Sequence, residues 1–75
     1  MNDKDSLRDI LSQSLPVILF RNHPKFKELT GFAPRSIANQ DSLGTGPKER
    51  IRMGRTVGYP RKAMVDWLLT KARRG

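Results

Sequence analysis

The chain has 75 residues, fifteen of them Lys or Arg and seven Asp or Glu, so its net charge at pH 7 is +8. This length allows one small hydrophobic core and excludes a separate catalytic domain, while the positive charge favours polyanionic partners. Cysteine is absent and His23 is the single histidine, which excludes disulfides and a Cys/His zinc site.

The longest apolar run covers only residues 17–20, whereas a membrane-spanning helix needs about 20 apolar residues. The first five residues lack the basic start and the apolar stretch that are typical of a secretory signal. The chain also has no thiol that would need an oxidising compartment. We therefore expect a cytoplasmic protein that has no membrane partner.

The first predicted element is an amphipathic helix within residues 1–16, which precedes a domain at residues 17–75. Pro16 marks the end of this helix, and the bulky or β-branched residues 17–20 suit a strand. The apolar side chains at helical spacing are Leu7, Ile10, Leu11 and Leu15.

Two short helices are predicted next. The first runs from Pro24, whose fixed φ suits a first helical position, to Thr30, and Gly31 suits the left-handed residue that follows a helix. Pro34 offers the same kind of start to the second helix, which runs to about Asp41. Two short helices joined by a turn that contains glycine are typical of a helix-turn-helix.

The second of these helices has a polar face that no apolar residue covers, while Ile37 and Ala38 are expected to face inward. An Arg side chain can bond two acceptors of guanine, Asn and Gln can pair with adenine, and Ser can donate to a base or a phosphate. The candidate base-reading residues are Arg35, Ser36, Asn39 and Gln40. The competing interpretation is that these side chains are only solvated.

Residues 50–59 alternate between polar and apolar side chains around Gly54, which predicts a β-hairpin after the Gly- and Pro-containing loop at 42–47. Residues 1–20 carry a net charge of −1 and residues 21–75 a net charge of +9, with the densest positive stretch in and beside this hairpin. Each cation there can neutralise a phosphate, and the competing interpretation is a solvated charged face. The candidates for phosphate or minor-groove contacts are Lys48, Arg50, Arg52, Arg55 and Arg61.

Two hairpin registers are open. A two-residue turn would put Val57 and Tyr59 on the face opposite Ile51 and Met53, whereas a three-residue connection at 54–56 would put all four on one face. Because a single apolar face is easier to bury, we expect the three-residue connection. The side chains expected to project from the other face are those of Arg50 and Arg52.

The last predicted element is an amphipathic helix that runs from Pro60 or Arg61 to Arg73. Apolar residues recur along it at helical spacing, and Trp67 is the largest of them. We therefore expect Trp67 to anchor the core.

The order of these elements describes a helix-turn-helix followed by a wing. Residues 26–37, FKELTGFAPRSI, resemble the helix-turn-helix of the MerR-type group, which includes AlpA-like prophage regulators and phage excisionases. Residues 46–68 resemble the wing and following helix of the same group, with a Gly-Arg wing tip, an aromatic residue at the end of the second strand and a Trp-Leu pair in the last helix. The resemblance covers about residues 17–72.

The resemblance implies a small winged-helix DNA-binding domain whose second helix enters the major groove and whose wing contacts backbone or minor groove. It implies a role as a transcription regulator or as a recombination directionality factor that bends DNA beside an integrase. The chain departs from the group at Ala33, where a capping Ser or Thr is common, at Ala38 and Asn39, where bulkier or basic residues are common, and in its extra N-terminal helix.

We therefore expect an α+β fold, a small MerR-like winged helix-turn-helix with an extra N-terminal helix. The expected function is sequence-specific binding of double-stranded DNA, as an excisionase-like factor or a prophage-type transcription regulator. The expected partners are double-stranded DNA and an integrase or other protein, with weak self-association on DNA. No cofactor, no metal and no enzymatic activity are expected, because His23 is the sole imidazole and residues 44–48 lack the full Walker spacing.

Two alternatives stay open. Basic charge alone is compatible with RNA binding, but recognition of single strands usually uses exposed aromatic side chains, and the aromatic residues here fit apolar faces. The second alternative is a protein-interaction module in which Leu7, Ile10 and Leu11 of the N-terminal helix dock a partner or a second copy.

Overall fold

Residues 3–72, which this computed structural model describes, form four helices and one antiparallel sheet of three strands. The α+β class expected from the sequence is thereby confirmed. The elements are α1 Asp3–Ser14, β1 Ile18–Phe20, α2 Phe26–Thr30, α3 Pro34–Ser42, β2 Ile51–Met53, β3 Thr56–Pro60 and α4 Arg61–Lys71.

Helix α4 is the central element of the packing, since it contacts α1 as well as β3 and β1. Its buried side chains point in several directions around the helix axis, which makes it less amphipathic than the sequence pattern predicts. They are Ala63, Met64, Val65, Trp67, Leu68 and Leu69. The predicted end of this helix, Arg73, lies outside the described residues.

Helix α1 contributes Leu7 and Leu11, which pack against the core, and Leu15 just beyond the helix end is buried. The fourth residue of the predicted apolar set, Ile10, is 59% exposed. Arg61 joins the end of this segment to the start of α4, because its Nε donates to the Leu15 carbonyl oxygen at 3.0 Å.

Helix α2 is shorter than predicted, because Pro24 lies in a turn and the helix begins at Phe26. His23 shapes this turn, since its Nδ1 accepts a hydrogen bond from the Lys25 N–H at 3.0 Å. The predicted end is confirmed: Gly31 follows the helix with a φ of 80°, in the left-handed region that favours glycine. Pro34 then occupies the first turn of α3, as expected.

The sheet has the strand order β1-β3-β2, so β3 is the central strand. Leu19, Val57 and Tyr59 lie on the face that contributes to the core. Phe20 pairs with Gly58 on the other face, where a side chain at position 58 would lie 2.8 Å from the Phe20 ring. Glycine at this position therefore leaves the space that the Phe20 ring occupies.

The hairpin register differs from the expected one. Met53 pairs with Thr56 and Arg52 pairs with Val57, so the connection is a two-residue turn at Gly54 and Arg55. Gly54 has a φ of 60°, and a glycine with positive φ at the first turn position is what a type II′ hairpin requires. The expectation of a three-residue connection is wrong.

The error has a physical reason that involves β1. The prediction rested on a single apolar face, but Ile18 and Phe20 of β1 lie on the outer face of the sheet, the same face as Ile51, with β3 between the two strands. The sheet therefore has apolar residues on both faces, and those of β2 lie on the outer face, where Met53 is 55% exposed. As a second correction, the side chains of Arg50 and Arg52 lie on the same face as Val57 and Tyr59.

Candidate nucleic-acid interface

Helix α3 has an inner and an outer side. Ile37 is fully buried and the Asp41 side chain, one turn later, is only 6% exposed. Arg35, Ser36 and Asn39 are all exposed. Since Arg35 and Asn39 are four residues apart, their side chains are neighbours on the helix surface. Three of the four predicted base-reading residues are therefore open to a partner.

The fourth, Gln40, has an internal role. It is only partly exposed, and its side-chain oxygen accepts a hydrogen bond from the Thr45 hydroxyl at 2.6 Å. The backbone carbonyl oxygen of Gln40 also accepts a hydrogen bond from the Thr45 backbone N–H, at 2.9 Å. The Thr45 carbonyl oxygen in turn accepts the Trp67 indole N–H at 2.8 Å. Gln40 thus ties α3 to the loop that α4 holds in place.

Trp67 is 6% exposed, which confirms its predicted place in the core. Its ring meets that of Phe32 edge to face, with the ring centres 5.1 Å apart. Since Phe32 lies in the connection between α2 and α3, Trp67 supports both ends of α3.

Arg55 lies in the turn of the hairpin and Arg52 lies in β2, and both residues are exposed. Arg55 lines a shallow concavity together with Arg21 and Asn22, the two residues that follow β1. Arg55 and the residues after β1 therefore border the same concavity.

Four side chains meet between α3 and the sheet, and we call them the Asp41 cluster: Arg21, Asp41, Arg50 and Tyr59. The Tyr59 hydroxyl and Arg21 Nη2 both donate to Asp41 Oδ2 at 2.5 Å, and Arg21 Nε donates to the Tyr59 oxygen at 2.7 Å. Arg50 Nη1 lies 3.6 Å from Asp41 Oδ1, close enough for an ion pair. The cluster links the end of α3 to all three strands or their flanks.

Burial shapes the protonation of this cluster. It raises the pKa of Tyr59 to about 12, and the hydrogen bond to Asp41 acts in the same direction. Burial alone would lower the pKa of the Arg21 guanidinium, but the hydrogen bonds to Tyr59 and Asp41 outweigh it and the net direction is upward. At neutral pH the tyrosine is therefore a neutral donor and the arginine a fixed cation.

Arg21 and Asp41 were not among the site residues predicted from the sequence. One signal was available for Asp41: it lies four residues after Ile37, on the inner side of the helix. A buried carboxylate needs a cationic or hydrogen-bonding partner. Nothing in the sequence, however, identifies Arg21 and Tyr59 as those partners.

Two of the predicted basic residues belong to other surfaces. Lys48 lines a groove between the 44–49 loop, α1 and α4, together with Arg8 and Lys62. Arg61 is partly buried and holds the Leu15 carbonyl oxygen. The predicted basic set is thus divided: Arg50, Arg52 and Arg55 belong to the hairpin and its flank, and the other two do not.

The described part of the chain contains no group of three or more His, Cys, Asp or Glu side chains that could hold a metal ion. No helix within it is long and apolar enough to cross a membrane. Comparisons with protein-family models, with curated proteins and with solved structures find no match to this chain.

Proposed function

We propose that the protein is a small MerR-like winged helix-turn-helix that binds double-stranded DNA in a sequence-specific manner. In this assignment α2 and α3 are the helix-turn-helix, α3 is the recognition helix and the β2–β3 hairpin is the wing. The observation that carries the proposal is the open polar face of α3, with Arg35, Ser36 and Asn39 exposed on a helix that is anchored from behind by Ile37.

The chemistry of this face suits base edges in a major groove. A guanidinium such as that of Arg35 can bond both acceptors of guanine, and an amide such as that of Asn39 can bond the donor and the acceptor of adenine. The hairpin arginines and the net charge of +9 over residues 21–75 suit the phosphate backbone. Gln40 contributes to this recognition only if it gives up its bond with Thr45.

The same features support a role as an excisionase-like recombination factor or a prophage-type transcription regulator in the cytoplasm. Both roles need a small domain that recognises a DNA site and acts through DNA bending, cooperative binding or a protein partner such as an integrase. The two roles differ in the DNA site and not in the binding chemistry.

The test is to identify the bound DNA from a pool of genomic fragments. Recovery of an integrase attachment site would favour the excisionase role, and recovery of a promoter would favour the regulator role. If no fragment is enriched over random duplex, sequence-specific binding is refuted. Competition with structured RNA in the same assay separates duplex DNA binding from RNA binding.

The exposure of the aromatic side chains bears on the RNA alternative. Tyr59, Phe26 and Trp67 are at most 6% exposed and Phe20 and Phe32 are half-buried, so no aromatic ring is a fully open surface on which bases could stack. The observations therefore favour duplex DNA over single-stranded RNA.

A further inference from the structure

The Asp41 cluster holds an unusual balance of charge, two guanidinium groups and one carboxylate. The Asp41 side chain is 6% exposed, and the Arg21 side chain that binds it is 25% exposed. Because little water lies between them, the attraction between Asp41 and Arg21 is screened less than that between two surface charges. The charge of Arg21 is therefore largely cancelled inside the protein.

Arg50 is placed differently. Its side chain is 55% exposed, and its Nη1 lies 3.6 Å from Asp41 Oδ1, beyond hydrogen-bond distance. An exposed ion pair of this length contributes little. Arg50 is therefore free to turn toward a phosphate, whereas Arg21, held by two hydrogen bonds to Tyr59 and Asp41, is not.

The space for the carboxylate is provided by Gly46. A β-carbon at this position would overlap Asp41 Oδ1 and would lie only 3.1 Å from Asp41 Cγ, so a side chain here would displace the carboxylate. The loop after α3 thus approaches Asp41 closely and helps to keep it out of water. The carboxylate is consequently held in place next to the hairpin.

We propose that Asp41 acts as an internal counter-ion that withholds the Arg21 charge from the phosphate backbone and so lowers the affinity for random DNA. Discrimination between sites is a difference of affinities. When the phosphate contacts that any duplex offers contribute less, the base contacts of α3 account for a larger fraction of the affinity for the cognate site. Asp41 is in this sense a specificity-determining residue that does not contact DNA. The inference rests on the proposed function.

The direct test is Asp41→Asn, which keeps the size of the side chain and an acceptor for the Tyr59 hydroxyl but removes the charge. On random duplex, the slope of the logarithm of the binding constant against the logarithm of the salt concentration should become steeper, by the amount that corresponds to about one more neutralised phosphate. The affinity at physiological salt should rise by about 3- to 10-fold. The ratio of cognate to random affinity should fall. A folded Asp41→Asn variant with an unchanged or shallower slope would overturn the proposal.

Tyr59→Phe is the matched control. It removes two hydrogen bonds from the same cluster, to Asp41 and from Arg21, without changing the charge, so its salt slope should equal that of the wild type. A steeper slope in Tyr59→Phe as well would overturn the proposal, because the effect would then come from loosening of the cluster and not from charge.

A measurement on the wild type covers the case in which Asp41→Asn does not fold. Guanidinium nitrogen resonances can be followed by NMR as random duplex is added. Those of Arg50 and Arg55 should shift, and that of Arg21 should not. If the Arg21 guanidinium resonance shifts as random duplex is added, the proposal is overturned, whether or not Asp41→Asn folds.

The two proposals fail in different ways. A wild type that binds duplex without preference for any sequence refutes sequence-specific binding, while the slope comparison on random DNA still decides the role of Asp41. A wild type that binds no duplex at all refutes both.

Discussion

Two junctions of the protein are built from different chemistry. Where α4 meets α1 and the sheet, the contacts are apolar, and Leu15, Leu19 and Met64 are at most 2% exposed. Where the end of α3 meets the sheet, the contacts are the charged hydrogen bonds of Asp41. Apolar packing is non-directional and supplies stability, whereas hydrogen bonds to a buried carboxylate define one orientation. The polar junction lies between the two elements that we propose to contact DNA.

The largest expected effect comes from breaking the apolar junction. Met64 has no exposed surface, so Met64→Ala should lower the free energy of unfolding by about 2–5 kcal/mol through lost burial and a new cavity. In a domain of this size that loss is comparable with the whole stability. Chemical denaturation followed by circular dichroism measures it. Ile10→Ala, at a position that is 59% exposed, is the control and should change the free energy of unfolding by less than about 0.5 kcal/mol.

Breaking the polar junction should cost less. Asp41→Ala leaves the Tyr59 hydroxyl and Arg21 Nη2 without their acceptor, which should lower the free energy of unfolding by about 1–3 kcal/mol. The cost is limited because Arg21 can turn toward solvent. A loss as large as that of Met64→Ala in the same denaturation experiment would show that the two junctions contribute equally to stability.

The proposed recognition role divides the basic residues into two groups. Arg35→Ala and Asn39→Ala should each weaken binding to a cognate site by about 1–3 kcal/mol and have little effect on random duplex. Arg55→Ala should weaken binding about equally on all sequences and lower the salt slope by roughly one phosphate equivalent. Fluorescence anisotropy on cognate and random duplexes measures both. If Arg35→Ala and Arg55→Ala each lose the same affinity on cognate and random duplexes, α3 is not the element that recognises the base sequence.

The polar junction should also respond to pH. Because Tyr59 ionises near pH 10 in the unfolded chain and at about 12 in the folded protein, the unfolded state loses this proton first as pH rises. The stabilisation is therefore complete below pH 10 and is lost between pH 10 and 12. Thermal unfolding of the wild type and of Tyr59→Phe over pH 9–12 tests this prediction. Lysines also titrate in this range, but they do so in both proteins, so their effect cancels in the difference between the two stabilities. The stability difference between the two should shrink as pH rises; a constant difference contradicts the prediction.

The smallest effect is expected at the surface between α1 and α4. Arg8 Nη1 lies 2.6 Å from Asp66 Oδ1, but the two side chains are 47% and 44% exposed. Arg8→Ala should therefore change the free energy of unfolding by only about 0–1 kcal/mol. A larger loss in denaturant titration would mean that α1 is held to α4 by charge as well as by apolar packing.

The positions of the helices could be predicted because their signals are local. The leucines of α1, the left-handed Gly31 and the proline at the start of α3 each act on their own neighbours in the chain. Trp67 was predicted to lie in the core from its size and from its place in the apolar pattern of the last helix. The presence of a hairpin around Gly54 was equally local, since it rests on alternation and one glycine.

The register of that hairpin and the Asp41 cluster were decided only by tertiary structure. The register puts the apolar residues of β2 on the outer face, which also has Ile18 and Phe20 of β1, a strand that pairs with β3 from far along the chain. The partners of Asp41 lie 20 and 18 residues away, at Arg21 and Tyr59. Contacts between residues that are so far apart in the chain produce no periodic pattern in the sequence. Charge, composition and periodicity thus determined the class of the fold and the set of candidate residues, while the folded chain decided which of those residues are open and which are held by one another.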